Sequence, residues 1–219
     1  AADRATVDLS QSTDTLGPSL TIEPGAVVKM GQDAKIVVSK GGLNVGRPDA
    51  TTPVLITSAK DNACGAAPSA PSNCDTVQGG GQPNPGDWYG IEVQRTSDGV
   101  SLNHVRILFG GSDFGAGLKL LNGDSVLAGS EQIEDVEIAH SSGYGLHVQQ
   151  VTTKLLGGHI HDNKRSGVFV EGVTTPVTLF MEDTVIERNG AAAVDMDANV
   201  VIDLDDPDEL RAADGRVPG

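Results

Sequence analysis

Large aromatic side chains are scarce in this sequence of 219 residues. They make up 3% of the chain, with four Phe, two Tyr and one Trp, so we expect a core that does not depend on large rings. Basic residues are also few, because 15 Lys and Arg stand against 30 Asp and Glu, for a net charge of −15. Phosphate contacts need clustered Lys and Arg, so this balance argues against a nucleic-acid-binding function.

Long apolar runs and helical patterns are missing as well. No apolar segment approaches the roughly 20 residues that a helix needs to cross a bilayer, so we expect no membrane-spanning segment. No stretch of about 10 residues combines a helical period with helix caps, and the best candidate is the short segment 208–213. These absences argue against a leucine-rich or other helix-containing solenoid.

Cysteine is limited to Cys64 and Cys74, which lie inside a segment rich in Pro and Gly, 60–87. That composition predicts a surface loop. The spacing of the two cysteines is not that of a CxxC metal or redox motif, so we predict a disulfide and an oxidising compartment outside the cytoplasm. The alternative is a pair of reduced thiols. The first residues are Ala-Ala-Asp-Arg without an initiator Met, from which we expect a mature form or a piece of a longer protein.

The sequence does contain an internal repeat of short alternating strands separated by polar turns. Its anchors are spaced 31, 22 and 26 residues apart, at Ile107, Ile138, Ile160 and Ile186. Alternation over a few residues buries only one face of a strand, and stacking of equivalent strands joins those faces into one continuous core. A repeat of this length with short strands predicts a parallel β-helix.

The repeat also predicts which side chains lie in register from one coil to the next. One inward column contains the anchor isoleucines, and a second contains Ile91, Leu118, Leu146, Val168 and Val194. Beside the second column, the outward residues are Glu92, Lys119, His147, Phe169 and Asp195. Three residues after the anchors stand Gly110, Ser141, Asn163 and Asn189. Ser and Asn at such turns can hydrogen-bond along a ladder of turns.

Four segments resemble a known group of proteins. They read Thr21-Ile-Glu-Pro-Gly-Ala-Val-Val-Lys29, Gly42-Leu-Asn-Val45, Pro53-Val-Leu-Ile-Thr-Ser58 and Gly86-Asp-Trp-Tyr-Gly-Ile91. They look like bacterial right-handed parallel β-helix repeat proteins of the pectin-lyase-like class, over roughly residues 20–204. That class includes lyases, hydrolases and non-catalytic surface proteins, so the resemblance bears on fold rather than on function.

From the repeat and the resemblance we predict an all-β, single-stranded right-handed parallel β-helix of about seven or eight coils. The β-helix would span residues 20–206, with the loop 60–87 inserted between two coils. Residues 1–19 would form an N-terminal cap or junction, and residues 207–219 a C-terminal tail or cap.

The outward column does not predict a catalytic centre. It contains no pair of carboxylates on adjacent coils, whereas inverting glycoside hydrolysis needs two carboxyl groups. Polygalacturonase-like members of the class also show a Gly-His-Gly turn and an Arg-Ile-Lys strand, which are absent here, and Asp205-Asp206 matches only their acidic dipeptide. We assign no catalytic residue. A polysaccharide lyase or glycoside hydrolase acting on an acidic polysaccharide remains the alternative.

Carboxylates crowd the C-terminal end of the chain, with eight acids and one basic residue between positions 195 and 214. Oxygen ligands at this density suit Ca²⁺, and the candidate ligands are Asp195, Asp197, Asn199, Asp203 and Asp206. Val200 stands where an EF-hand loop needs Gly, and no Glu closes the loop. The alternative is a solvated acidic end.

Two smaller features complete the candidate sites. His159 and His161 flank an inward Ile, and with Glu137 and Glu187 on neighbouring coils they could hold zinc; the alternative is that they pair with these acids. Trp88 and Tyr89 are the only adjacent aromatic residues, and a sugar face could stack on them. The alternative is that Trp88 packs against the base of the loop.

We therefore predict a secreted or cell-surface, non-catalytic β-helix module. It would act as a structural, adhesive or partner-binding scaffold, with calcium as a candidate stabilising ion. The expected partner is a protein or polysaccharide at the cell surface, or a neighbouring domain or subunit at an end of the β-helix.

Overall fold

The computed structural model describes seven segments of the chain, which are 7–8, 19–39, 41–63, 82–94, 100–121, 132–172 and 177–204. Within these segments the chain forms 18 strands and no helix, so the all-β prediction is confirmed. None of the described residues belongs to a helix that could cross a membrane. The predicted disulfide between Cys64 and Cys74, the tail at 207–219 and the candidate ligand Asp206 lie outside the described residues.

The strands are short. In chain order they are β1 (Val7–Asp8), β2 (Leu20–Ile22), β3 (Val27–Met30), β4 (Lys35–Val38), β5 (Leu43–Gly46), β6 (Val54–Ser58), β7 (Gly90–Gln94), β8 (Val100–Leu108), β9 (Ala116–Leu121), β10 (Gln132–Ala139), β11 (Tyr144–Gln149), β12 (Thr153–Leu156), β13 (His159–His161), β14 (Val168–Glu171), β15 (Val177–Glu182), β16 (Val185–Glu187), β17 (Val194–Met196) and β18 (Val200–Leu204).

Every strand pairing in the described residues is parallel. Sheet one has seven strands in the order β1-β4-β7-β9-β11-β14-β17, and sheet two contains the other eleven. The chain passes through sheet one once, then through sheet two, and then returns to sheet one. Each circuit is one coil, and the seven strands of sheet one mark seven coils. This is the arrangement of a parallel β-helix, and its right-handed sense stays a prediction.

The inward columns are those that the repeat predicted. The anchor isoleucines pair in register on β8, β10, β13 and β16. The second column runs in register through β7, β9, β11, β14 and β17. Members of both columns belong to one hydrophobic core. Burial of each Val, Leu or Ile side chain contributes roughly 1.5–3 kcal/mol, which is why small branched residues suffice without large rings.

The ladder of turns is also present. Asn163 Oδ1 accepts a hydrogen bond from the backbone N–H of Ser141 at 2.9 Å, and Asn163 Nδ2 donates to the carbonyl of Ile138 at 3.1 Å. One coil further on, Asn189 Oδ1 accepts from Asn163 Nδ2 at 2.9 Å, and Asn189 Nδ2 donates to the carbonyl of Ile160 at 3.0 Å. Each amide therefore satisfies backbone groups of the preceding coil, which strands of this length leave unpaired at the turn.

Corner residues adopt the left-handed backbone region at two stacked positions. One set directly follows β8, β10, β13 and β16, and its members are Phe109, His140, Asp162 and Arg188, with φ of 51–65°. The other set lies inside β8 and β10, at His104 and Asp135, and directly after β12 and β15, at Gly157 and Asp183, with φ of 49–63°. The left-handed region costs an L-residue roughly 1–2 kcal/mol, so the stacked coils must hold these corners in place.

Candidate functional site

A group of paired ionisable side chains lies on the outward face of β8, β10, β13 and β16 and at the corners that follow them. We call it the charged ridge, and its members are Arg106, Glu137, His159, His161, Asp162, Glu187 and Arg188. Strand alternation places the members on the strands outward, because the anchor isoleucine beside them points into the core. The ridge crosses four successive coils.

Glu137 is the centre of the charged ridge. The Arg106 guanidinium binds it through two nitrogens, with Nη2 at 2.9 Å from Oε1 and Nε bonded to Oε2. His161 Nε2 lies 3.3 Å from Glu137 Oε1. Burial raises the pKa of the Glu137 carboxyl, but the hydrogen bonds from His161 and Arg106 outweigh it and lower the pKa to about 2. Glu137 is therefore a fixed anion over the whole neutral range.

His161 bridges two carboxylates. Its Nε2 contacts Glu137, and its Nδ1 lies 2.7 Å from Asp162 Oδ2. Burial lowers the pKa of His161, but the two carboxylates outweigh it and the net pKa is raised. With both ring nitrogens engaged, His161 has no free nitrogen with which to ligate a metal or exchange a proton with a substrate.

The far end of the ridge continues the same pairing. Arg188 binds Asp162 through Nε at 3.2 Å and Nη2 at 3.1 Å, and it also binds Glu187. The hydrogen bond from Arg188 is the main reason why the pKa of Asp162 is lowered. His159 Nε2 lies 3.3 Å from Glu187 Oε1, and this hydrogen bond lowers the pKa of Glu187. The ridge is thus a chain of alternating charges across coils.

Beside the ridge, His140 stacks on Phe109 with ring centroids 4.9 Å apart and an interplanar angle of 12°. The His140 ring also meets His161 edge-on, with centroids 6.1 Å apart. Burial lowers the pKa of His140. The pKa values of these two neighbouring histidines therefore shift in opposite directions, because His161 has carboxylate partners whereas His140 stacks on an apolar ring.

The structure favours the paired interpretation of the His159 and His161 motif over the zinc interpretation. Both histidines contact the predicted acids, although the contacts are diagonal: His161 reaches Glu137 and His159 reaches Glu187. Among the described residues, no group of three or more His, Cys, Asp or Glu side chains could hold a metal ion.

The predicted outward column of sheet one is confirmed in register. Its side chains also pair across coils. Lys119 Nζ lies 3.6 Å from Glu92 Oε2, and His147 Nε2 lies 3.2 Å from Glu171 Oε2. Burial is the main cause of a lowered pKa at His147.

The aromatic rings of sheet one are stacked on one another and under cations. Phe169 stacks on Tyr144 with ring centroids 4.8 Å apart and an interplanar angle of 19°. The Arg165 guanidinium lies 5.3 Å from the centroid of the Tyr144 ring. Because these contacts run along the stack of coils, the rings stabilise neighbouring coils rather than presenting a flat platform.

Trp88 is buried, so the predicted surface contact is wrong for this residue. Its side chain is 0% exposed, and its Nε1 donates to the carbonyl of Leu108 at 2.8 Å. The core takes up the indole because its N–H has a backbone acceptor. Tyr89 is partly exposed, with its ring tilted against Phe114 at 6.2 Å and Lys35 Nζ 5.9 Å from its centroid.

The candidate calcium ligands do not converge in the part of the chain that the structure describes. Asp195 lies on β17 in sheet one, and Asp203 lies on β18 in sheet two. Asp197 is exposed between the two strands, and Asn199 Nδ2 donates to the carbonyl of Gly172 at 3.4 Å. The described carboxylates form no group that could hold a metal ion. The described acids belong to two different strands, with a turn between them. Because Asp206 lies outside the described residues, the calcium site as a whole stays a prediction.

Sequence reasoning missed three members of the charged ridge, namely Arg106, Asp162 and Arg188. Their positions relative to the anchors could have indicated them. Arg106 and Glu137 both directly precede an anchor isoleucine. Asp162 and Arg188 each come two residues after an anchor. Equivalent positions in the repeat carry opposite charges, and stacking brings such positions together.

Comparisons of the chain with protein-family models, with curated proteins and with solved structures found no match in any of the three.

Proposed function

We propose that the protein is a non-catalytic, secreted or cell-surface β-helix module, similar to the pectin-lyase-like class, that acts as a structural, adhesive or partner-binding scaffold. The observation that carries this proposal is the pairing of outward ionisable side chains with one another across coils. The clearest case is His161, whose two ring nitrogens both contact carboxylates.

Catalysis by acids and bases needs a group that can exchange a proton with the substrate near the working pH. Glu137 does not fit that role, because Arg106 and His161 hold its pKa at about 2. On sheet one, Glu92 is buried and its Oε2 lies 3.6 Å from Lys119 Nζ, so each of the two side chains has the other as its ion-pair partner. These pairs support a stabilising role for the outward charges.

A scaffold role is supported by how the coils are joined. The buried turn ladder through Asn163 and Asn189, the parallel backbone pairing and the charged ridge all connect one coil to the next. A stack joined in this way presents its faces at fixed spacing, and a net charge of −15 limits non-specific association.

The experiment tests for the activity of the alternative, a lyase or hydrolase of acidic polysaccharides. The full chain is incubated with acidic polysaccharides, with and without calcium, while unsaturated products and new reducing ends are followed. We expect neither to form above the rate without protein.

Variants give this screen its control. Polysaccharide turnover would contradict the scaffold proposal if Lys119→Ala or Glu137→Gln abolishes it while Lys154→Ala retains it. Lys154 is a suitable match because it is exposed and lies against the Phe180 ring, away from both sets of pairs. Circular dichroism of each variant separates loss of activity from loss of fold.

A further inference from the structure

Exposed large apolar side chains are confined to one end of the described structure. They are Val185, Met196 and Val201, each about half exposed at 51–54%. They lie on β16, β17 and β18, which we call the open end. Single exposed apolar residues are ordinary on a protein surface, but these three all lie on the last strands of the described structure.

The inward columns explain part of this exposure, because Met196 belongs to one of them, whereas Val185 and Val201 are outward residues in register with His159 and Thr178. Met196 continues the column of Val170, and Met196 is 51% exposed whereas Val170 is fully buried. Ile202 is partly exposed, whereas its register partner Leu179 is fully buried. Met196 and Ile202 occupy positions that are buried in inner coils, and the difference is that no described strand pairs beyond β17 and β18.

The backbone is open at the same place. Within the described residues β16 pairs only with β13, β17 only with β14, and β18 only with β15. Each strand therefore has one edge of N–H and C=O groups with no described partner strand, and such an edge is a template for an added strand.

Negative charge surrounds this apolar edge. Asp195, Asp197 and Asp203 are all exposed there, and none of them forms an ion pair with another described residue. In register, Asp195 follows Phe169 and Asp203 follows Phe180, neither of which is a cation. In inner coils, outward carboxylates such as Glu92 and Glu137 meet a cation on the neighbouring coil, so the missing neighbour at the open end is a basic one.

We propose that the open end docks a partner polypeptide that adds a parallel β-strand along β18, with apolar residues over Val200 and Ile202 and a Lys or Arg beside Asp203. This proposal rests on the scaffold function and names its partner. Backbone pairing would supply affinity, and alternate side chains would supply specificity. A second copy joined through the same end is disfavoured, because it would bring the Asp195 and Asp203 carboxylates of both copies together.

The test uses the full chain and labelled peptides in a fluorescence anisotropy titration. One peptide alternates Val and Lys over the length of β18, and its control alternates Val and Glu. We expect saturable binding of the Val-Lys peptide that weakens as salt rises, and no saturable binding of the Val-Glu peptide.

A charge reversal in the protein separates docking from a merely structural role. Asp203→Lys is expected to weaken binding of the Val-Lys peptide by roughly three- to tenfold and to introduce binding of the Val-Glu peptide. The matched control is Asp113→Lys, which makes the same change at an exposed position far from the open end and leaves both titrations unchanged.

Three outcomes would overturn the proposal. They are no saturable binding of either peptide, equal binding of both, and self-association by sedimentation that Asp203→Lys abolishes, which would identify a second copy as the occupant. None of these outcomes involves polysaccharide turnover. Failure of the docking proposal is therefore distinguishable from failure of the scaffold proposal.

Discussion

Replacement of Asn163 by Ala is expected to lower the free energy of unfolding by about 3 kcal/mol. The side chain is 2% exposed, accepts from Ser141 N at 2.9 Å and donates to Ile138 O at 3.1 Å. Its removal takes one hydrogen bond from each of these two buried backbone groups, and each such loss costs roughly 1–3 kcal/mol. Asn189 Oδ1 keeps a partner, because the backbone N of residue 163 still donates to it at 3.1 Å. Water entering the vacated space would reduce the combined cost of the two lost hydrogen bonds, which gives the expected loss of about 3 kcal/mol.

Urea unfolding followed by circular dichroism and by the fluorescence of the buried Trp88 measures this loss. The midpoint should fall while the slope with denaturant stays constant, because the surface exposed on unfolding hardly changes. Asn189→Ala should cost less, since Asn189 is only partly buried. Asn84→Ala is the control, because the Asn84 side chain is exposed and its hydrogen bond within the described residues is to the nearby Gln82 O.

The expected order of destabilisation is Asn163 first, Asn189 second and Asn84 last. Equal midpoints for Asn163→Ala and Asn84→Ala would refute the reasoning, because the turn ladder would then contribute nothing to the joining of coils. A changed slope for Asn163→Ala would instead indicate that part of the stack had already unfolded in the native state.

Four further predictions concern the charged ridge, one corner and the cysteines. Glu137→Gln should lower stability at neutral pH by about 2 kcal/mol: the difference between an ordinary pKa of 4.5 and about 2 corresponds to about 3 kcal/mol, which solvent screening reduces. In thermal melts of the wild type, the stabilisation by the Glu137 carboxylate should be complete above pH 4.5 and disappear as pH falls towards 2. A melting temperature that depends on pH in the same way in the wild type and in Glu137→Gln would contradict this. His161 has a raised pKa in the folded state, so its contribution is full below its ordinary pKa of 6.5 and is lost as pH rises through the folded value. His161→Gln should remove the part of the fall in melting temperature that this loss causes above pH 6.5, and an unchanged fall in the variant would contradict this. At the left-handed corner, Asp183→Val should be less stable than Asp183→Gly by roughly 1–2 kcal/mol in urea unfolding, and equal midpoints would count against corner strain. Mass spectrometry of a non-reduced digest should recover Cys64 and Cys74 in one linked product, and alkylation of both thiols without reductant would exclude the disulfide.

The fold was predictable because its main determinants are local and repeated. Two-residue alternation identifies the inward side chains, and an anchor Ile followed by Asn or Ser sets the register of the turns. The corners were not predictable in the same way. Phe109 has no preference for a left-handed backbone, and it adopts one because the strands on both sides of the corner are fixed by the stack.

The charged ridge was only partly predictable for a related reason. Successive anchors are 31, 22 and 26 residues apart, so the partners of an outward residue have no constant sequence separation. His159 and Glu187 were paired correctly because they flank equivalent anchors. Arg188 was missed because it lies at a corner, where the backbone turns its side chain back towards Asp162 of the preceding coil. Burial of Trp88 depended on an acceptor at Leu108 O, which local pattern does not reveal.

One physical rule connects the paired charges of the inner coils with the unpaired charges of the open end. A coil in the middle of the stack has a neighbour on each side, so Glu137 meets Arg106 on one neighbour and His161 on the other. The last described coil has a neighbour on one side only, so its apolar residue Met196 and its carboxylate Asp203 are both exposed. The same alternation that buries and neutralises each inner coil therefore leaves an apolar edge bordered by negative charge at the end. An added strand must supply apolar and basic residues in alternation to extend the stack, which is why the partner's chemistry follows from the fold itself.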